Sequence, residues 1–137
     1  MTEQLSLLAL QALAVVKESG AIIGANHAHP HTIRHKGRID LVTETDIAVE
    51  AFLKERLATL APQAGFLAEE SAEDLSLPDT CWIIDPVDGT TNFAHGLPLT
   101  VTSVAYRLNG EIVLGIVNAP LLRECFIAEK GKGAWRN

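Results

Sequence analysis

The chain has 137 residues, with 17 Asp and Glu against 11 Lys and Arg, for a formal net charge of −6. Hydrophobic residues make up 47% and charged residues 20%, a globular rather than a disordered composition, at a length that suits one domain with a core of its own. The acidic balance argues against non-specific nucleic-acid binding, which needs a basic surface, but it does not oppose a phosphorylated substrate if metals supply positive charge.

Cys81 and Cys125 are isolated, with no Cys-x-x-Cys spacing; they read as reduced, buried thiols of a cytosolic protein. The apolar run Leu5 to Val16 follows Thr2-Glu3-Gln4 without a basic n-region, so it does not read as a signal peptide. It is also too short to span a bilayer.

From about Leu5 to Gly24 the chain is rich in Ala and Leu, which favours a helix. Leu5, Leu8, Ala9, Ala12, Val15 and Val16 repeat at three and four and make one apolar face, while Gly20 and Gly24 weaken the C-terminal end. His27 to Arg38 is basic, His-rich and interrupted by Pro30. Its His-x-His-x-His run suits a transition metal, but no neighbouring acid or thiol completes such a site, and the stretch reads as a solvated loop. Asp40 to Asp46 leads into a helix over Ile47 to Leu60, where Val49, Phe52, Leu53, Leu57 and Leu60 carry the period and Pro62 stops it. Thr43-x-x-Asp46 fits a capping box with Asp in place of Glu, which makes Asp46 a helix-start acid favoured by the dipole. Gly65 to Ser71 reads as a strand ending in Glu69-Glu70, a pair that alone would be solvated surface. A polar loop with Pro78 follows.

Trp82-Ile83-Ile84 is a short run of strand-forming residues, expected to end at Asp85 in a turn supplied by Pro86 and Gly89. Asp85 to Asp88 taken alone fits a plain β-turn. Yet Pro86 fixes its own φ and restricts Asp85, and two hard oxygen donors at one rigid corner suit Mg²⁺. Gly89 lets backbone approach a ligand. Thr90, Thr91 and Asn92 suit the cap of a helical turn, whose free N–H groups bind phosphate well. Beyond Pro98 the pattern is strand upon strand: Thr100 to Leu108 alternates, Asn109-Gly110 signals a hairpin, and Glu111 to Asn118 answers it. Glu124 to Glu129 and Ala134-Trp135 continue an antiparallel meander.

The run from Trp82 to Gly96 closely resembles the signature of the inositol monophosphatase family: Trp-Ile-Ile-Asp-Pro, a hydrophobic residue, Asp-Gly-Thr-Thr-Asn-Phe, then His-Gly-hydrophobic-Pro. The Thr91-Asn92-Phe93 continuation is more similar to the monophosphatases than to the bisphosphate nucleotidases. Asp40 to Asp46 resembles the family's Asp-hydrophobic-Val-Thr-x-x-Asp, and Ala68-Glu69-Glu70-Ser71 its Gly-Glu-Glu-Ser, with Ala68 in place of Gly.

The resemblance implies an α+β fold of two helices packed on a mostly antiparallel sheet, the N-terminal half of the layered αβαβα sugar-phosphatase architecture. It implies Mg²⁺-dependent, lithium-sensitive hydrolysis of a phosphate monoester such as inositol monophosphate by metal-activated water. Glu69, Asp85, Asp88 and the Val87 carbonyl would hold metal. Thr90 with Glu69 would activate the attacking water, Asp46 would support them, and Gly89, Thr90 and Thr91 would place N–H groups on the phosphate. Alternatives are a relative acting on histidinol phosphate, fructose bisphosphate or a nucleotide bisphosphate, or a non-catalytic interaction module if 137 residues are the whole protein. The family's C-terminal Trp-Asp-x-Ala-Ala-Gly motif does not occur, so residues 1–137 read as one N-terminal domain, truncated before the acid that completes a second metal site. The expected setting is the cytoplasm. The expected partners are a small phosphorylated substrate and, in a full-length form, a second copy as homodimer, with no nucleic acid and no membrane. Two helices cannot cover both faces of such a sheet, and the resemblance implies that a C-terminal half covers the other.

Overall fold

The computed structural model describes residues 4–27, 37–68 and 78–137. Among them an α+β fold sets α1 (Leu7–His27), α2 (Gly37–Leu60) and the short α3 (Thr90–Ala94) against six strands. The strands are β1 (Gly65–Ala68), β2 (Cys81–Asp88), β3 (Val101–Leu108), β4 (Glu111–Ala119), β5 (Glu124–Glu129) and β6 (Gly133–Arg136). They lie in chain order across one sheet. The β1–β2 pair is parallel and the other pairs are antiparallel.

The meander forms where the turn chemistry asks for it. Asn109 (φ 51°) and Gly110 (φ 83°) are both left-handed, as a two-residue hairpin matching the strand twist requires. Inward positions alternate along the regular stretches of the strands. Trp82, Tyr106 and Leu114 form one cross-strand row, and Ile84, Val104, Ile116 and Ile127 another; all are buried. Trp82 and Tyr106 stack with ring centroids 4.5 Å apart, a geometry that adds to plain burial.

Helix α1 begins at a cap that the sequence reading did not mark. The Ala9 N–H donates to Ser6 Oγ, while the Ser6 N–H and hydroxyl both donate to the Glu129 carboxylate, at 2.8 and 2.5 Å. The helix then runs through Gly20 and Gly24 to His27, beyond its expected end. Gly20 is buried, and a Cβ there would lie 2.9 Å from the Pro120 Cβ, so its bareness seats α1 on the 3₁₀ turn Pro120–Leu122. At 21 residues with a mean hydropathy of 1.5, α1 is long and apolar enough to cross a bilayer by length and composition; here its apolar face is packed on α2 and the sheet.

Two further boundaries differ from expectation. Helix α2 starts at Gly37, so Thr43 and Asp46 lie inside it and the capping box does not form. Val42, Thr45, Asp46, Val49, Leu53 and Leu57 are all buried at helical spacing, and this continuous face overrides the local capping signal. Strand β2 passes through Pro86 to Asp88, so Asp85 to Asp88 is strand rather than turn. Glu69, Glu70 and residues 28–36 of the His-rich stretch lie outside the described residues.

Candidate functional site

The register of β2 against β3 explains how a strand accommodates Pro86. Asp85 pairs with Ser103 and Asp88 with Val101, so two residues, Pro86 and Val87, oppose the single Thr102. This is a β-bulge, one extra residue on one strand. A proline has no N–H for the ladder, and a bulge is among the places where a sheet tolerates one.

The extra residue has a geometric consequence. In a regular strand, residues three apart face opposite sides. The bulge adds one residue of phase, so Asp85 and Asp88 share the face of Ser103 and Val101, away from the helices. Burial agrees: Ile84 and Val87 are in the core, Asp85 is half-buried and Asp88 is exposed. The Val87 carbonyl lies in the chain between the two acids. Inside the bulge, the buried Thr102 hydroxyl donates to the Pro86 carbonyl at 2.8 Å.

Beyond Asp88 the chain turns sharply. Gly89 takes φ 90° and ψ 39° as the N-cap of α3. A Cβ there would sit 2.6 Å from the Leu99 carbonyl oxygen, so no other residue fits without movement. The cap is this glycine with no side-chain bond; Thr90, Thr91 and Asn92, the expected capping residues, lie within the helix itself. Asn92 instead closes the following loop, its Nδ2 donating to the Leu99 carbonyl at 2.9 Å while its own carbonyl accepts from the Leu97 N–H at 2.8 Å. His27 at the end of α1 reaches the same loop, its Nε2 lying 3.2 Å from the Gly96 carbonyl.

Asp46 is buried, 6% exposed, on α2, a helix that packs against both β2 and α3. Its neighbour Thr45 accepts a 2.7 Å hydrogen bond from Asn26 Nδ2, tying α2 to α1 at that level. The fold thus brings together Asp85, Val87, Asp88, Gly89, Thr90 and Thr91 on one continuous corner, backed by the helix that bears Asp46. Ala68, the last residue of β1, pairs with Ile84, the residue before Asp85. Glu69 lies outside the described residues, and among those described no three His, Cys, Asp or Glu side chains group as a metal cage.

The donor chemistry present fits a hard divalent cation. Two carboxylates on one face with a backbone carbonyl between them are oxygen donors, and no thiol or imidazole belongs to the set. The residue that the sequence reading missed is Thr102. Its signal was available: Thr102 occupies an inward position of β3 ahead of Val104 and Tyr106, and Thr100 precedes the strand in the same phase, where an apolar residue is the default. The Thr100 methyl lies beside Gly89, and its buried hydroxyl has no hydrogen-bond partner among the described residues.

A family model described as "Inositol monophosphatase family" matches residues 4–137. An inositol monophosphatase of Dictyostelium discoideum is 45% identical over 130 residues, covering 92% of this chain and 48% of the relative. A Thermotoga maritima protein named fructose-1,6-bisphosphatase/inositol-1-monophosphatase is 44% identical over 98 residues, covering 72% of this chain and 38% of its own length. Among solved structures, the extragenic suppressor protein suhB of Bartonella henselae superposes with a TM-score of 0.80 at 32% identity, covering 96% of this chain and 52% of that one. The chain spans about half the length of the curated relatives it matches.

Proposed function

Because the chain belongs to the inositol monophosphatase family, we propose that it provides the metal-binding corner of a phosphatase that hydrolyses a phosphate monoester such as inositol monophosphate with Mg²⁺. The observation that carries this reading is the bulge in β2, which turns Asp85 and Asp88 to one face immediately before the left-handed Gly89. Asp85, Asp88, the Val87 carbonyl and Glu69 would hold Mg²⁺, which when bound would lower the pKa of water and stabilise the leaving oxygen. The chain's own groups do the rest. The N–H groups of Gly89, Thr90 and Thr91 hold the phosphate. Thr90 and Glu69 orient the attacking water, the Glu69 carboxylate accepting its proton, and Asp46 steadies the corner from α2. The proposed setting is the cytoplasm, with a small phosphorylated substrate and a second copy of the protein as partners, and neither nucleic acid nor membrane.

The test is phosphate release by the full-length protein that contains this chain. Thr90→Ala and Glu69→Gln are each expected to lower kcat by about 100-fold with little change in KM, since both act on the attacking water. Wild-type turnover by either would overturn the water-activation role. The double name of the Thermotoga relative favours one second reading, action on a sugar bisphosphate as well. Parallel assays with inositol 1-phosphate and fructose 1,6-bisphosphate separate the two.

A further inference from the structure

We propose that Thr102 is a positioning residue for the Asp85–Asp88 corner, holding the bulge in the one register that keeps both carboxylates on the same face. This rests on the reading of Asp85 and Asp88 as metal donors, which Thr102 does not itself touch. Thr102 is the single residue facing Pro86 and Val87, and it is fully buried. A bulge leaves ladder groups unpaired, and Pro86 contributes a carbonyl but no donor. The Thr102 hydroxyl donates to that carbonyl at 2.8 Å, so a side chain does what the ladder cannot.

Without this bond the buried carbonyl is orphaned, and β2 relieves the penalty by shifting against β3. A slip of one residue reverses the face of every side chain beyond it, which would send Asp88 to the side opposite Asp85. Thr102 thereby controls the metal site by controlling strand phase, from a neighbouring strand.

The experiment measures Mn²⁺ binding directly, from the electron paramagnetic resonance signal of the free ion, together with thermal melting. Thr102→Val keeps the shape and removes the donor. It is expected to weaken Mn²⁺ binding by about tenfold or more, the usual effect of losing a group that orients metal ligands. Thr102→Ser, which keeps the hydroxyl, is expected to bind within about twofold of wild type on the same reasoning. Leu57→Ala, a cavity in the core of α2, lowers the melting temperature without changing Mn²⁺ affinity. Should Thr102→Val fail to fold, Thr102→Ser and Thr102→Ala make the comparison, since both lose the methyl and one keeps the hydroxyl.

Asp85→Asn separates the two levels of argument. If it binds Mn²⁺ as wild type does, the metal reading itself is wrong. If Asp85→Asn loses binding while Thr102→Val keeps it, or if Ser and Val weaken binding equally, the positioning role of Thr102 is overturned and the metal reading stands.

Discussion

Thr100, just ahead of β3, and Thr102 within it are both buried two places apart, yet replacing each by valine is expected to have opposite effects. Thr102→Val strands the buried Pro86 carbonyl and should cost about 1–3 kcal/mol. Thr100→Val removes a buried hydroxyl that has no partner among the described residues, and should be neutral or stabilising by up to about 1 kcal/mol. Urea unfolding of the two variants checks the contrast; equal destabilisation would refute it. The two thiols carry a second residue-scale expectation. Burial raises the pKa of both Cys81 and Cys125 above 9.0, opposed by the nearby charges of Arg107 and Lys17 respectively. As pH rises through about 9 the unfolded chain releases thiol protons that the folded chain still holds. The stability that these thiols contribute is therefore complete below that pH and lost above it. Urea midpoints measured on either side should fall on going alkaline, and fall less in a Cys81→Ala, Cys125→Ala double variant.

Among the elements, the β3–β6 meander was legible in the sequence because its signals were local and mutually consistent. Asn109-Gly110 demanded the one turn type that occurs, and the period-2 pattern marked the strands on either side, though not the register shift beside the turn at Tyr106 and Arg107. The phase of β2 was not legible. Pro86 and Gly89 both read as turn formers, and what keeps Asp85 to Asp88 in the sheet is a hydroxyl from another strand. The start of α2 was missed for a related reason, since Thr43 and Asp46 suit a helix cap, yet Asp46 lies on the buried face of a longer helix and Thr43 on its exposed side, and only packing decides. The identities of the corner residues Asp85, Asp88, Gly89 and Thr90 came from the motif, whereas their shared face came from the bulge. Gly89 makes that corner testable as an element. Gly89→Ala forces a side chain into a left-handed residue and against the Leu99 carbonyl, and should cost about 2 kcal/mol or more. A melting curve indistinguishable from wild type would show that α3 enters by another route.

At the scale of the whole molecule, the described residues have one dressed and one bare side. Helices α1 and α2 cover the face bearing Trp82, Ile84, Val104 and Ile116. The opposite face carries a low row, Leu67, Ile83, Ala105, Gly115, Ala128 and Ala134 in cross-strand register. Beside it stand Ile112, Val117 and Phe126, 50%, 37% and 41% exposed, and a groove of about 420 Å³ opens between β4 and β6. Exposed apolar surface of this kind drives association. The isolated 137-residue chain should therefore bind a hydrophobic dye and scatter more light as its concentration rises, and Phe126→Lys with Val117→Lys should reduce both; a dye-silent monomer would refute it. The ordered meander also bears on how the chain reaches this state. Strands β2 to β6 each pair with the next in sequence, so most of the sheet assembles through short loops that close fast. The Ser6–Glu129 clamp is different, joining residues 123 apart, and a loop that long is entropically costly to close before the sheet exists. The clamp is expected to form after the folding barrier and to open ahead of global unfolding. Hydrogen exchange should then show the Ala9 amide, bonded to the Ser6 hydroxyl, losing protection under conditions where the amides between β3 and β4 still keep theirs.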